Sequence, residues 1–475
     1  MKKHLTVSAT IALVLICILA LVACGTTAST SSQTESAGEQ TADGETVYIT
    51  AYDIAVRNGF VGTEEEWLAS LHGKDGADGQ DGKAEFSISD VYDAAVEKGY
   101  TGTFFDFVKE YLSDNTSSGD STYAVSKAIL SALSVQAVFT TTQYDRWGRT
   151  SEGTSTAGGA AVIYKLDKNT GDAYVITNFH VVYDANCTTS NKFSNDVTLY
   201  LYGSEYGEYA IPATVVGGSA YYDIAVLQVT GSELLKNGDA RAVDIEETEV
   251  SVGQTAIAIG YPAAEGISVT GGIVSVDSET ISLNIEGSNV YQTREFRVDA
   301  AINSGNSGGG LFNSDGKLIG VVNARHNSSS TETIENIGYA IPISIVTGVA
   351  DNVIANCNGE DKVGVYKCML GITTTINDTG MVYDPETGLT KIKQTVYVAE
   401  VGEGVAQGVL QAGDVITSAT IGGKTYSVTR SYHLMDAMLN ARVGDTVTIR
   451  YIRDGESGQA DFVMTEDSVT VFFTM

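Results

Sequence analysis

Short runs of β-branched and aromatic residues, separated by Gly, Asn and Asp, dominate the chain from about residue 123 to residue 350. Runs of this kind between turn residues are typical of strands. The apolar spacing of residues 123–134 predicts a leading helix. The pattern then predicts strands at 173–177, 197–202, 224–229, 255–259, 281–285, 296–298 and 318–322. Because no helical stretches separate these strands as crossovers, a mainly β fold with two packed antiparallel barrels is expected.

The first residues follow another pattern. Lys2 and Lys3 precede an apolar run at 11–23, which ends in small residues before Cys24. This arrangement predicts a secretory signal at 1–23 that is cleaved before the cysteine. Residues 24–46 are rich in Ser, Thr, Ala and Glu without apolar periodicity, which predicts a flexible tether.

An internal repeat follows within residues 47–113. Residues 52–71 align with residues 92–111, and each copy is typical of two short helices around a glycine turn. Residues 73–82 place glycine at every third position, but so few triplets predict a hydrated linker and not a collagen helix. We favour a paired-helix spacer over a peptidoglycan- or partner-binding module. A second linker, 114–122, leads into the barrel region.

Three segments carry candidate chemistry: His180 in TNFHVV, Asp223 in YYDIAVLQV and Ser307 in GNSGG. A serine becomes a nucleophile when an imidazole takes its proton, a carboxylate orients that imidazole and two amides hold the oxyanion. Glycines around Ser307 let the backbone turn tightly and aim the amides of Gly305 and Ser307 at one point. The chain order His, Asp, Ser is that of chymotrypsin-like double barrels.

Each candidate has a rival. His326 competes for the role of base but lies in a polar loop. Asp184 and Asp299 compete with Asp223, which opens an apolar strand where a carboxylate is costly unless it is paired. Ser304 lacks the Gly-Gly that follows the favoured serine.

At these residues the chain resembles the HtrA (Deg-type) serine proteases. Further matching segments are GYPAAEGISVTGGIVS, DAAINSGNSGG and IGYAIPI, and the resemblance extends from about residue 123 to the C-terminus. It implies a trypsin-like, chymotrypsin-fold protease domain at 123–350, a linker at 351–364 and a C-terminal PDZ domain at 365–475. It also implies an ATP-independent endopeptidase acting on unfolded or exported proteins, and a homotrimer.

In this fold the S1 pocket lies between the residues before the oxyanion loop and a later strand. The corresponding candidates are Ala301, Ile302, Asn323, Ala324 and Arg325. No acidic residue stands among them, so basic P1 residues are not expected, and the family resemblance implies small aliphatic ones. Arg325 departs from the apolar residue expected there and could admit a polar or acidic side chain.

The segment Leu370-Gly371-Ile372 resembles the carboxylate-binding loop of a PDZ domain, with Met438 of a following helix as a candidate pocket residue. In that fold a peptide C-terminus adds to a sheet edge as a strand. An insertion at 383–392 departs from a minimal PDZ domain, so the resemblance does not define the rim of the groove.

Bulk properties narrow the function further. With 28 Lys and Arg against 59 Asp and Glu, the net charge of −31 excludes nucleic acid as a partner. No Cys/His cluster has zinc spacing, and no cofactor is expected. The sequence does not decide whether Cys357 and Cys368 form a disulfide bond.

The segment before Cys24 resembles a bacterial lipobox, which implies acylation of this cysteine and a lipid-anchored protein on the extracytoplasmic side of the cell membrane. An uncleaved transmembrane anchor is the alternative. For function, the alternatives are a surface binding or chaperone-like protein with latent protease activity, and a processing protease with one partner.

Overall fold

The computed structural model describes thirteen stretches of the chain, which include nearly all of the region from residue 121 onward. These are residues 38–40, 46–48, 62–63, 101, 121–144, 150–201, 210–261, 268–286, 289–303, 305–325, 337–357, 362–385 and 388–473. The predicted signal and almost all of the predicted helical repeats lie outside the described residues. Within the described stretches, no helix is long and apolar enough to cross a membrane.

The chain forms two compact units, residues 1–88 and residues 89–475. In the first unit, β1 (Gly38–Gln40) pairs antiparallel with β2 (Thr46–Tyr48). The Thr-Val-Tyr sequence of β2 favours an extended chain because β-branched and aromatic residues fit a pleated surface. The first strand of this hairpin lies where the sequence predicts a flexible tether.

The second unit opens with α1 (Ser121–Ala128), which tightens into a 3₁₀ turn and ends at Ser131. The predicted helix is therefore too long, because its last residues begin the first barrel strand. Two further short helices of this barrel, α2 (Phe179–Val182) and α3 (Glu233–Asn237), follow its third and sixth strands. The strands are β3 (Ala132–Tyr144), β4 (Thr150–Asp167), β5 (Asp172–Thr177), β6 (Asp196–Leu201), β7 (Ala210–Ser219) and β8 (Ile224–Val229).

These six strands close into a barrel in the order β3-β4-β5-β8-β7-β6. Alternate residues of β3, among them Leu133, Val135 and Phe139, fill its interior. Alternation follows from the strand period of two, which sends successive side chains to opposite faces.

A second closed barrel has the order β10-β11-β14-β13-β12-β9. Its strands are β9 (Thr255–Gly260), β10 (Ser268–Glu286), β11 (Asn289–Val298), β12 (Gly310–Phe312), β13 (Leu318–Arg325) and β14 (Gly338–Pro342). All seven predicted strands lie within or beside these elements. Helix α4 (Ile343–Asn356) follows and continues past residue 350, where the sequence predicts a linker.

The two barrels share one apolar core. Ile176 and Ile224 of the first barrel pack in the same buried cluster as Ile259 and Val321 of the second. The prediction of two packed antiparallel barrels is confirmed. Loops that leave the facing strands consequently meet along the junction between the barrels.

The C-terminal domain is built on a sheet of order β16-β17-β18-β20-β21, with β19 paired to β18. A separate pair joins β15 to β22. The predicted insertion at 383–392 forms the end of the long β16–β17 hairpin. The elements are β15 (Val365–Cys368), β16 (Ile372–Asp384), β17 (Leu389–Val401), β18 (Val415–Ile421), β19 (Lys424–Ser427), α5 (His433–Ala437), β20 (Thr446–Arg453), β21 (Glu456–Val463) and β22 (Val469–Phe472).

The end of β22 packs against the first barrel. The ring of Phe472 lies 5.8 Å from that of Tyr222, and the ring of Phe473 lies 5.8 Å from that of Phe179. Phe179 and Tyr222 immediately precede the predicted base and the predicted carboxylate. Aromatic packing from the C-terminal segment therefore supports both halves of the candidate site.

The three cysteines of the described region are buried free thiols. Cys357 belongs to the core between the barrels, whereas Cys368 belongs to the core of the C-terminal domain. The bridge that the sequence leaves open is therefore not formed. Burial raises the pKa of the Cys357 thiol to about 12, against a smaller opposing effect of Lys362.

Candidate active site

The carboxylate of Asp223 contacts His180 twice. Its Oδ2 lies 2.8 Å from the ring Nδ1, and its Oδ1 accepts the main-chain N–H of His180 at 3.0 Å. Asp223 is only 1% exposed, while the His180 side chain keeps 36% of its surface open. The carboxylate thus fixes the position of the ring from a buried place and leaves the opposite ring nitrogen available for chemistry.

The backbone around Asp223 is held just as closely. Its carbonyl accepts hydrogen bonds from the Asn178 side chain at 2.8 Å and from the Phe179 amide at 3.2 Å. Its φ of 49° lies in the left-handed region, where Asp is among the better-tolerated residues. This turn lets the carboxylate leave the start of β8 and reach α2.

Two opposing effects act on the pKa of His180. Burial disfavours the imidazolium, but the negative charge of Asp223 and its hydrogen bond favour it more strongly, and the net effect raises the pKa above its ordinary value. A base with a raised pKa accepts a proton from a hydroxyl more readily.

The loop that carries Ser307 needs its glycines. Gly305 and Gly308 have φ values of 93° and 85°, and a Cβ on Gly308 would lie 2.2 Å from the Ala160 carbonyl. The Ala160 amide in turn donates to the Ser307 carbonyl at 2.9 Å, which ties the loop to the first barrel. Among the described residues, the amides of Gly305 and Ser307 donate no hydrogen bond, as an oxyanion hole requires.

The hydroxyl of Ser307 donates to the main-chain carbonyl of Asn323 at 2.8 Å. Within the described part of the chain, no hydrogen bond joins this hydroxyl to His180. The base and its carboxylate are thus assembled, whereas the serine is held by β13. Catalytic hydrogen bonds of this kind often tighten only when substrate binds.

The S1 candidates have different surroundings. Ile302 is buried and its side chain would lie 2.3 Å from a Cβ on Gly338, whereas Ala301 is exposed. The Asn323 side chain is buried and donates to Glu295, so that it is the carbonyl of Asn323 that meets the serine. For Ala324 and Arg325 the structure describes the strand backbone, and their side chains lie outside the described residues.

The rival carboxylates have other partners. Asp299 is exposed and accepts the Ile273 amide at 2.6 Å. Asp184 accepts the Asn186 amide at 2.8 Å and the Ser155 hydroxyl at 3.2 Å. The remaining rivals, His326 and Ser304, lie outside the described residues.

Sequence reasoning missed Glu295, which is fully buried on β11 and accepts the Asn323 side-chain amide. Its neighbours Arg294 and Arg297 give the strand an amphipathic appearance that is typical of an exposed edge. No local signal distinguishes this glutamate from a surface one, because its burial depends on how the barrels pack.

The predicted carboxylate loop also depends on a glycine. Gly371 has φ of 81°, and a Cβ there would lie 2.4 Å from the Glu403 carbonyl. Leu370 and Met438 are buried in one apolar cluster, and Ile372 begins β16. Among the described residues β16 is the terminal strand of its sheet, so its outer edge is open to a further strand.

The other face of the C-terminal domain is joined to the protease by side chains of opposite charge. The ring of Tyr432 also lies under the Arg294 guanidinium, 3.9 Å from its centre. The ion pairs are Arg294–Asp436 and Arg430–Asp277 at 2.8 Å, and Nε2 of His433 lies 3.0 Å from a carboxylate oxygen of Glu249. They border a cleft of about 720 Å³ between the second barrel and the C-terminal domain.

Comparison with known proteins agrees with this architecture. Residues 159–321 match the trypsin-like peptidase domain, and residues 369–463 match the PDZ domain. A solved structure described as the HtrA-type protease AlgW with decapeptide is 24% identical and covers 73% of this chain and 98% of that chain, with a TM-score of 0.44. The fold is mainly β, and the two matched domains define a serine endopeptidase that carries a PDZ domain.

The similarity to characterised relatives is more specific. The Serine protease Do-like HtrA of Lactococcus lactis subsp. lactis (strain IL1403) is 32% identical over 65% of this chain and 71% of the relative. The protein of the same name from Bacillus subtilis (strain 168) is 33% identical over 64% of this chain and 63% of the relative. The chain belongs to the HtrA family of serine proteases.

The pKa of His180 generates a testable prediction. In the Ser307→Ala protein, we expect NMR titration of His180 to give a midpoint above that of an ordinary histidine. Asp223→Asn removes both effects that raise the pKa and leaves burial, so the midpoint should move to lower pH. The chain has only five histidines, which keeps assignment tractable, and His433→Gln serves as the assignment control. Equal midpoints with and without the carboxylate would contradict this account.

Proposed function

We propose that this protein is a lipid-anchored, extracytoplasmic and ATP-independent endopeptidase that cleaves unfolded or exported proteins with His180, Asp223 and Ser307 as its triad. The observation that carries the proposal is the double contact of the buried Asp223 with the ring and the amide of His180. A buried carboxylate is costly, and here it is placed where it orients and stabilises an imidazolium.

Each residue has a separate role in the proposed reaction. Asp223 accepts a hydrogen bond from Nδ1–H of His180, which leaves Nε2 of His180 as the base that takes the Ser307 proton. The Ser307 oxygen attacks the peptide carbonyl, and the oxyanion is held by the amides of Gly305 and Ser307. His180 then protonates the leaving amine as the C–N bond breaks, and water later releases the acyl group from the serine.

Cleavage of unfolded casein by residues 46–475 tests this function. We expect fragmentation by the unaltered sequence and none by Ser307→Ala or His180→Ala. Asp223→Asn should lower the rate by ~10⁴-fold because the imidazole then favours the wrong tautomer. Near-normal turnover by the Ser307→Ala protein would exclude a serine mechanism.

A latent protease that acts mainly as a binding or chaperone-like surface protein is the second candidate. It is favoured by the Ser307 hydroxyl, which makes no hydrogen bond with His180 among the described residues. This candidate predicts that folded protein suppresses casein aggregation without cleaving it. A processing protease for one partner would instead leave casein intact and not bind it.

We further propose that the PDZ domain recruits substrates by their C-termini, and that the protein assembles as a homotrimer as its family resemblance implies. Support for recruitment comes from the left-handed Gly371, the buried Leu370 and the open edge of β16. A glycine in this conformation lets successive amides converge on an anion, and the strand edge adds main-chain hydrogen bonds.

Titration calorimetry on the Ser307→Ala protein tests carboxylate capture. A peptide with a free apolar C-terminus should bind at least about tenfold more tightly than its amidated form, since each charge-assisted hydrogen bond lost is worth ~1.5–3 kcal/mol. Gly371→Ala should weaken binding because its Cβ would meet the Glu403 carbonyl. Gly380→Ala, in strand β16 that follows this loop, meets no atom within 4 Å and is the control. Equal affinities of the two peptides would favour a domain that serves only as a spacer.

The membrane anchor is proposed from the sequence of residues 1–24. Acylation of Cys24 contributes ~0.8 kcal/mol for each buried methylene, so two or three chains hold a protein firmly. We expect mass spectrometry of the mature protein from native membranes to find a modified cysteine as the first residue. Cys24→Ser should release the protein or leave its signal uncleaved, and an unmodified N-terminus elsewhere would contradict lipidation.

A further inference from the structure

Glu295 is a buried acid beside the candidate active site. Its side chain has no exposed surface, and its Oε1 accepts the side-chain amide of Asn323. Its Oε2 has no hydrogen-bond partner among the described residues. An ionised carboxylate with a single hydrogen bond in such a place would carry a large desolvation cost.

The strand pattern explains how this residue reaches the junction between the barrels. Phe296 and Val322 point into the core of the second barrel, whereas Val321 packs in the core shared with the first barrel. Since side chains alternate along a strand, Glu295 points away from the interior of its own barrel, and the hydrogen bond from Asn323 places that side chain on the same side. Their hydrogen bond links β11 to β13 on the face that meets the catalytic loops.

We propose that Glu295 is a positioning residue of this protease: it holds Asn323, whose main-chain carbonyl fixes the hydroxyl of Ser307. The inference rests on the proposed function of Ser307 as nucleophile. Asn323 carries both links, because its side chain donates to Glu295 and its carbonyl accepts from the serine at 2.8 Å. A displacement of β13 at this residue would therefore move the hydroxyl relative to His180.

Glu295 fills this role as a neutral carboxylic acid. Burial raises its pKa well above the ordinary value, the Asn323 hydrogen bond opposes this in part, and the negative charge of Asp223 adds to it. Tyr339 on β14, Glu279 directly across the β10–β11 ladder and Arg297, two residues along β11, lie on the same side. The positive charge of Arg297 is engaged by Glu279, 3.7 Å away.

Labelling of the full chain by a fluorophosphonate probe, in detergent micelles, measures the reactivity of the serine directly. Glu295→Leu removes the acceptor of the Asn323 amide and should slow labelling by about tenfold or more. Glu295→Gln keeps a neutral acceptor and should label within about threefold of the unaltered protein. Labelling of Glu295→Leu at the unaltered rate would overturn the proposal.

A double-mutant cycle tests the route through Asn323. Asn323→Ser retains the main-chain carbonyl but removes the side-chain amide that donates to Glu295, so it should slow labelling as much as Glu295→Leu does. The double variant should be no slower than either single one, because both changes break one link. Additive losses would overturn the proposed route. If Glu295→Leu fails to fold, Asn323→Ser and Glu295→Gln still decide between the outcomes.

The protonation state has its own readout. In the native protein Glu295 keeps its proton, whereas in the unfolded chain it loses this proton above about pH 4.3. The native state therefore becomes less stable relative to the unfolded chain as pH rises. The urea midpoint of Glu295→Gln should therefore exceed that of the unaltered protein by an amount that grows from about pH 5 to pH 8. A constant difference would overturn the neutral form.

Failure of the proposed function gives a distinct result. If the unaltered protein is labelled no faster than Ser307→Ala, the serine is not a nucleophile and both proposals fall. If the unaltered protein is labelled but Glu295→Leu is not slowed, only the role of Glu295 falls. The two results are separated in one set of measurements.

Discussion

The candidate site depends on one buried carboxylate. Asp223 immediately precedes β8 in the first barrel and is enclosed almost completely, so its charge requires compensation that water cannot supply. His180 provides it with its ring and its amide, while the Asp223 carbonyl holds the neighbouring α2 backbone. The position of the base, the shape of the α2 turn and the packing of Phe179 follow from this interaction.

The nucleophile is positioned by a different principle. Backbone conformations open only to glycine turn the chain on both sides of Ser307, and main-chain hydrogen bonds tie this turn to β4. The hydroxyl itself is directed by Asn323 from β13. The base and the nucleophile thus come from separate barrels, and the shared apolar core decides their separation.

The PDZ domain contacts the protease through two different kinds of surface. On one side, the rings of Phe472 and Phe473 pack below the residues that precede the base and the carboxylate. On the other side, α5 faces β11 through Arg294 and Asp436. Arg294 is next in sequence to Glu295 on β11. Since successive side chains of a strand point to opposite faces, Arg294 points to the C-terminal domain and Glu295 points to the buried side of the strand.

The sequence alone predicted seven of the twelve described barrel strands and identified the candidate catalytic residues, because both signals are local. Runs of β-branched residues specify strands, and His180, Asp223 and Ser307 lie in short segments that few other functions require. The need for glycine at 305, 308 and 371 could also be inferred from the sequence, because the turns predicted there require a positive φ, which glycine adopts most easily. The tertiary structure alone decided that Glu295 is buried, that Ser307 faces Asn323 and that Cys357 and Cys368 lie in separate cores. These features depend on which distant surfaces come together, and burial sets the ionisation and the hydrogen-bond partner of a polar group only after the barrels have packed.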